Sequence, residues 1–252
     1  MKPMSSYRIW FTPRTGSSLL CKGIESTGIA GVPNEHFNMD SLIDHYQTNQ
    51  YEIFKNKLWQ LGTTENGVLG IKHSMFKKRY DAIFSEVLQM RNIKNSDDLN
   101  HDNIWSDIFP NCQHIFLTRR NKIRQAVSWW KAINNNIWHL KSNDISKETD
   151  SFYEKHYDFD ALSHLFKEAN LRECAIQAYF EKYQIKPLTL VYEDYIQSFE
   201  ESIYTVINSL GLNENEIKVD KMFYKKTATD RSEKWVQRFR KDFQSKMEHA
   251  VW

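Results

Sequence analysis

Arg14, Thr15, Gly16, Ser17 and Ser18 put a guanidinium, three hydroxyls and a glycine into five consecutive positions. At the start of a helix, such a stretch aims several backbone N–H groups at one point, where the helix dipole adds positive potential. Arg14 supplies a full charge and the hydroxyls supply further donors, so the chemistry on offer is anion binding. A nucleoside-triphosphate loop would need Gly-x-x-x-x-Gly-Lys followed by Ser or Thr. Here no lysine follows Gly16, and the cation precedes the glycine. The plainer alternative is a Ser/Thr-rich turn that caps its own helix.

Arg120 and Ser128 form a second candidate grip. An extended guanidinium at the end of a strand and a hydroxyl eight positions on, within a following helix, could both reach one phosphate. An arginine pair at 119 and 120 that only answers surface carboxylates is the competing reading, and the preceding strand and the first anion turn weigh against it. Ionisable side chains that could exchange a proton near neutral pH stand at Glu35, His36 and His73. Glu35 and His36 follow Gly28, Gly31 and Pro33, which rule out regular helix, so they sit on a loop or short extended segment. If extended, neighbours there point opposite ways. His73 follows Lys72 at a strand exit. No Cys/His cluster has zinc spacing, so no metal is expected.

The elements that must position these residues can be read from the pattern of apolar side chains. Residues 7–11 read as a buried strand, followed by a turn with Pro13 and Gly16. Leu19, Leu20, Gly23 and Ile24 then share a helical face, and Gly28 is placed to stop that helix. Residues 40–62 read as a polar helical stretch with Leu42, Ile43, Tyr46, Ile53, Phe54 and Leu58 inward. A second strand is expected at 67–72, a helix through 76–88, and a polar loop over 92–107. A third strand at 114–118 leads to Asn121, which can cap a helix whose Ile123, Val127, Trp130 and Ile133 share a face. Residues 134–160 are polar with Trp138, Phe152, Tyr153, His156 and Tyr157, suiting either an acceptor-side lid or packing against the body. A helix at 161–183, a strand at 187–191 ending in Tyr192-Glu193-Asp194, and a helix at 199–210 follow. The last forty residues are basic, and Lys225, Lys226, Arg231, Arg238 and Arg240 could either fold over a nucleotide or form a solvated face. Strands alternating with helices predict an α/β fold of one domain over 1–252, with a mostly parallel sheet and helices on both faces. Both anion stretches then lie at carboxyl ends of strands, where such sheets place their sites.

The chain has 252 residues with 14% aromatics, enough for a sizeable core. Its 34 basic and 32 acidic residues leave a formal charge of +2, which indicates no general nucleic-acid or membrane surface. Three widely spaced cysteines favour reduced thiols, and no long apolar run is present, so a cytoplasmic location is expected.

The loop Pro-Arg-Thr-Gly-Ser-Ser resembles the 5′-phosphosulfate loop of sulfotransferases. Residues 12–20, 31–37, 116–130, 190–194 and 232–240 together resemble the bacterial carbohydrate sulfotransferase family typified by trehalose sulfotransferase; the Pro-x-Glu-x-Phe block at 33–37 is the part that points to that family. Residues 40–66 and 136–160 fall outside the resemblance. It implies a P-loop-like three-layer fold, a homodimer, and transfer of the sulfuryl group of 3′-phosphoadenosine 5′-phosphosulfate (PAPS) to a hydroxyl of a carbohydrate or glycolipid. By the same resemblance Arg14 meets the bridging oxygen of PAPS beside Thr15, Gly16, Ser17 and Ser18. Arg120 and Ser128 grip the 3′-phosphate. Glu35 is the catalytic carboxylate, with His36 beside it on the acceptor side, while His73 resembles the base of sulfotransferases acting on phenols and steroids. Two other functions stay open at this stage. A P-loop kinase-like phosphotransferase would require magnesium and ATP; a non-catalytic nucleotide- or sugar-binding module would bind adenosine 3′,5′-bisphosphate without transfer.

Overall fold

The computed structural model describes residues 1–37, 39–93, 101–139, 149–213, 217–220, 224 and 228–246. In chain order the elements are β1 (Ser5–Phe11), α1 (Ser17–Ser26), α2 (Leu42–Tyr46), α3 (Tyr51–Gly62), β2 (Val68–Ser74), α4 (Lys77–Met90), α5 (His101–Ile108) and β3 (Cys112–Thr118). They continue with α6 (Lys122–Asn135), α7 (Asp150–His156), α8 (Phe159–Lys182), β4 (Leu188–Val191), α9 (Tyr192–Tyr195), α10 (Phe199–Ser209) and α11 (Asp230–Lys246). The four strands form one sheet in the order β2-β1-β3-β4, every pairing parallel. This is the expected α/β class, and parallel neighbours demand the helical crossovers that separate them.

Alternation along the strands divides the interior into two layers. Tyr7, Ile9 and Phe11 of β1, with Val68, Ile115 and Leu117, pack against α1 and α10. Trp10 and Phe116 face the other way onto Ile176 and Phe180 of α8, while Leu69 and Ile71 meet α3, α4 and α5. Helix α6 lies at the end of the sheet between α8 and α11.

Several elements differ from the sequence reading. The stretch 40–62 is two helices, because Gln47 adopts φ +48 and turns the chain between them. Ile53 is exposed, lying off the stripe that buries Phe54, Leu58 and Trp59. Residues 92–107, read as loop, contain most of α5, whose Ile104, Trp105 and Ile108 form a short buried stripe. On α6 the buried face runs through Ile123, Ala126, Val127 and Trp129, leaving Ile133 exposed. The aromatic residues of 150–157 pack on the body: Phe152, Tyr153 and Tyr157 surround Trp235 of α11. Lys225, Lys226 and residues 140–148 of the expected lid lie outside the described residues.

Candidate active site

The loop after β1 is held from three sides. Gly16, at φ +83, is the N-cap of α1 and lays no side chain over the first helical turn; the Leu19 and Leu20 amides donate to its carbonyl, and those of Ser17 and Ser18 are left to a ligand instead of a self-made cap. A Cβ at Gly16 would come within 2.2 Å of the Tyr195 hydroxyl, which itself donates to the Gly16 carbonyl at 2.8 Å. The buried Gln125 side chain donates to the Thr12 hydroxyl (2.7 Å) and the Pro13 carbonyl (2.8 Å). The Thr15 hydroxyl is spent inside the turn, donating to the Thr12 carbonyl at 2.8 Å.

Arg14 stands at φ +68, a left-handed conformation that a non-glycine residue holds at a cost of about 1–3 kcal/mol and that concentrates at functional sites. Its Nε donates to Ser128 Oγ at 3.0 Å, and its Nη1 donates to the Trp138 carbonyl. Burial, reinforced by the neighbouring Arg119 charge, pushes Arg14 down to about 10, which still leaves it a cation at neutral pH. The Arg14–Ser128 bond brings the first and second anion stretches into contact.

On the far side of α1, Gly31 at φ +72 lets residues 31–35 run beside β2; a Cβ there would stand 2.4 Å from the Gly70 nitrogen. Asn34 pairs with Ile71, and the Lys72 amide donates to the Asn34 carbonyl at 2.9 Å. This register delivers Glu35 to the Lys72 ammonium, Oε1 to Nζ 2.8 Å. The same Nζ donates to Ser18 Oγ at 2.9 Å and is almost wholly buried, 5.2 Å from the Phe11 ring. Glu35, Lys72 and Ser18 thus form one polar chain that starts at the carboxylate and ends at the anion loop.

The other two candidate bases are not brought there. His36 turns back to the Val32 carbonyl (3.3 Å), and burial lowers its basicity. His73 projects from the opposite face of the sheet, edge-on to Trp10 at 5.0 Å. Both its ring nitrogens are buried without a hydrogen-bond partner among the described residues. Burial, and next the Arg8 charge, hold His73 well below the usual imidazole range.

At the end of β3, two backbone amides, those of Arg120 and Asn121, donate to the Glu193 carboxylate at 2.9 and 3.1 Å. Burial alone would raise that carboxyl, but these bonds leave it below the ordinary glutamate value. The Tyr192-Glu193-Asp194 trio therefore fixes a strand-to-helix corner. Asn121 caps α6 by accepting from the Arg124 amide at 2.9 Å. The two arginines then diverge. The Arg120 side chain is 63% exposed and donates to Asp194 at 2.7 Å. Arg119 is buried over the Tyr192 ring at 4.5 Å and donates from Nη1 to the Arg14 carbonyl at 3.1 Å. Its Nε is buried without a hydrogen-bond acceptor among the described residues. Arg119, Ser128, Lys131, Tyr192, Thr229 and Ser232 line a cleft of about 470 Å³ between α6 and the start of α11.

Lys72, Arg119 and His139 are the members of this site to which sequence reasoning gave no role, although residues 138–139 fall within the stretch 134–160 offered as a lid and do reach Arg14 and Ser18. For Lys72 in β2, and for Arg119 just past the end of β3, the signal was the two-residue period of extended chain, which sends neighbours to opposite faces. Which face carries the site is decided only by packing. Among the described residues no three His, Cys, Asp or Glu side chains gather as metal ligands, and no helix is long and apolar enough to cross a membrane.

A family model described as Stf0 sulphotransferase matches residues 6–242. The chain is 23% identical over 269 residues to a trehalose 2-sulfotransferase of Mycolicibacterium smegmatis, an alignment covering 95% of this chain and 96% of the relative. A trehalose 2-sulfotransferase of Mycobacterium tuberculosis is 22% identical, with 93% and 94% covered. The crystal structure of a sulfotransferase from Alicyclobacillus acidocaldarius superposes with a TM-score of 0.45 at 10% identity, covering 96% of this chain and 93% of that one.

Proposed function

The chain belongs to the Stf0 sulphotransferase family, and on that premise we propose that this sulfotransferase moves the sulfuryl group of PAPS to a hydroxyl of a carbohydrate or glycolipid. The observation that carries the reading is the Lys72 ammonium bonded at once to Glu35 and to Ser18, because it joins a carboxylate to an anion loop. The trehalose sulfotransferase relatives support a carbohydrate acceptor.

In this reading the nucleotide lies in the cleft between α6 and α11, with its 5′ end at Arg14, Gly16, Ser17 and Ser18. Ser128 and Arg120 grip the 3′-phosphate, Arg120 exchanging Asp194 for it, and Arg119, whose Nε makes no hydrogen bond among the described residues but lies 3.8 Å from Glu193 Oε1, adds a donor from inside the cleft. Glu35 takes the proton of the acceptor hydroxyl as its oxygen attacks sulfur. The bond from sulfur to the bridging oxygen breaks, and that oxygen keeps the electron pair. Arg14 and the first-turn amides of α1 are placed for the charge that grows there, the kind of preorganised stabilisation that dominates most such reactions. Lys72 orients Glu35 and holds Ser18. The neighbouring His36 shapes the acceptor-side loop through its Val32 contact. A homodimer and a cytoplasmic setting belong to the same reading, the latter in keeping with the free thiols of Cys21, Cys112 and Cys174. Mass spectrometry of a carbohydrate and glycolipid extract incubated with the protein, with and without PAPS, tests it. A sulfated sugar should form only with PAPS; an extract left unchanged under both conditions would count against the proposal.

A further inference from the structure

The segment leaving α6 crosses the mouth of the anion loop. Trp138 accepts a hydrogen bond from Arg14 through its carbonyl, and the next residue, His139, sets its Nε2 3.4 Å from Ser18 Oγ. The residue is exposed on its outer side, and its imidazole stacks on the Tyr224 ring with centroids 5.0 Å apart and planes 29° from parallel. Ser18 is also the residue bound by Lys72, so the polar chain from Glu35 continues through Lys72 and Ser18 to His139. Glu35 therefore stands at one end of this chain and His139 at the other, with the amide end of α1 between them. The charged groups that act on His139 are Arg14 from the loop, Lys72 from β2 and Glu35 from the acceptor segment, and its ring faces Tyr224.

We propose that His139 binds the sulfuryl group itself, donating from Nε2 to one of its non-bridging oxygens and completing the cradle on the side opposite Glu35. Nothing covalent happens at the imidazole: the acceptor proton still goes to Glu35 and the leaving electron pair to the bridging oxygen. Its contribution is a donor aimed at oxygens that carry the charge of the group in flight, held in place by the Tyr224 stack. The neutral form suffices for that bond. Burial, and then the Arg14 and Lys72 charges, keep the imidazole below its ordinary basicity before an anion arrives.

The inference rests on the sulfotransferase reading of the loop, and its test separates the two. Calorimetric titrations of wild type, His139→Ala and His139→Gln would be run with PAPS and with adenosine 3′,5′-bisphosphate, which lacks the sulfuryl group. His139→Ala should weaken PAPS by about 10- to 150-fold, the worth of one hydrogen bond to a charged group, and leave the bisphosphate unchanged. His139→Gln, which retains an N–H donor at similar reach, should recover part of the PAPS loss. The unchanged bisphosphate affinity also shows that the variant is folded. Equal weakening of both ligands, or of neither, would overturn the role of His139. A wild-type protein that bound neither nucleotide would instead overturn the cofactor reading.

Discussion

At the scale of single residues, two arginines and a lysine carry the sharpest expectations. If Arg120 leaves Asp194 for a 3′-phosphate, Arg120→Ala should weaken PAPS about 10- to 150-fold yet barely touch adenosine 5′-phosphosulfate, which lacks that phosphate. Ser128→Ala should show the same selectivity with a smaller loss. A selective loss in Arg119→Ala alone, measured by the same titrations, would move the grip to the buried arginine. Lys72 makes a different kind of claim. As a positioning residue bonded to Glu35 and Ser18, it should affect turnover more than nucleotide affinity. Lys72→Met should lower kcat by about 10²-fold, since a misplaced reacting group costs that much, with KM for PAPS changed far less. Lys72→Arg should restore part of the rate, because it keeps the charge but not the point geometry. A Lys72→Met enzyme with normal kcat would remove Lys72 from the site.

At the scale of elements, the β1–α1 junction depends on Gly16. A Cβ there meets the Tyr195 hydroxyl at 2.2 Å and Tyr192 Cδ2 at 2.8 Å, on a backbone already at φ +83. Gly16→Ala should therefore lose about 1–3 kcal/mol in urea unfolding. Adding Tyr195→Phe, which removes the atom in the way, should cost less than the two changes summed. A Gly16→Ala protein as stable as wild type would mean that the loop is not held as described. This junction was legible in the sequence because every part of it is local: an apolar run, a Pro/Gly turn, then a helical stripe. The other strands were legible for the same reason. Helix α5 was not, since its stripe of Ile104, Trp105 and Ile108 spans barely more than one turn inside a polar stretch. The break at Gln47 carries no glycine or proline to announce it. Within the candidate site, Arg14 and Ser128 were suggested by motif and spacing and Glu35 by the family resemblance. The roles of Lys72 over His73, and the divergence of Arg119 from Arg120, depend on which face of the sheet holds the site. That is a tertiary fact. The approach of His139 is less legible still, because it comes from a segment joined to the loop only through space.

At the scale of the whole molecule, the sheet separates chemistry from stability. One face supports the anion loop; the other buries Arg8 against Trp10 at 4.3 Å and against Trp105 and Phe109, with His73 and His114 beside it. Burial, then the Arg8 charge, depresses both imidazoles, His114 to about 3. Both are thus neutral in the folded protein, whereas in the unfolded chain they take up protons below about pH 6.5. The unfolded state binds more protons there, so their contribution to stability is full above that pH and falls as the pH drops, by about 1.4 kcal/mol per histidine per pH unit. Urea unfolding between pH 7 and 5 should show this slope, and His73→Met should make it shallower; an unaltered slope would mean that His73 protonates in place. The whole assembly of loop, cleft and carboxylate has one purpose in this account, the passage of a sulfuryl group from PAPS to a sugar hydroxyl with Glu35 as base. The most direct test follows sulfur-labelled PAPS into trehalose and related sugars, without divalent metal, for wild type and Glu35→Gln, with bisphosphate affinity measured on both. The account predicts labelled sugar from wild type, turnover lower by about 10²–10⁴-fold in Glu35→Gln, and equal nucleotide affinity. Label transfer by Glu35→Gln at the wild-type rate would contradict it.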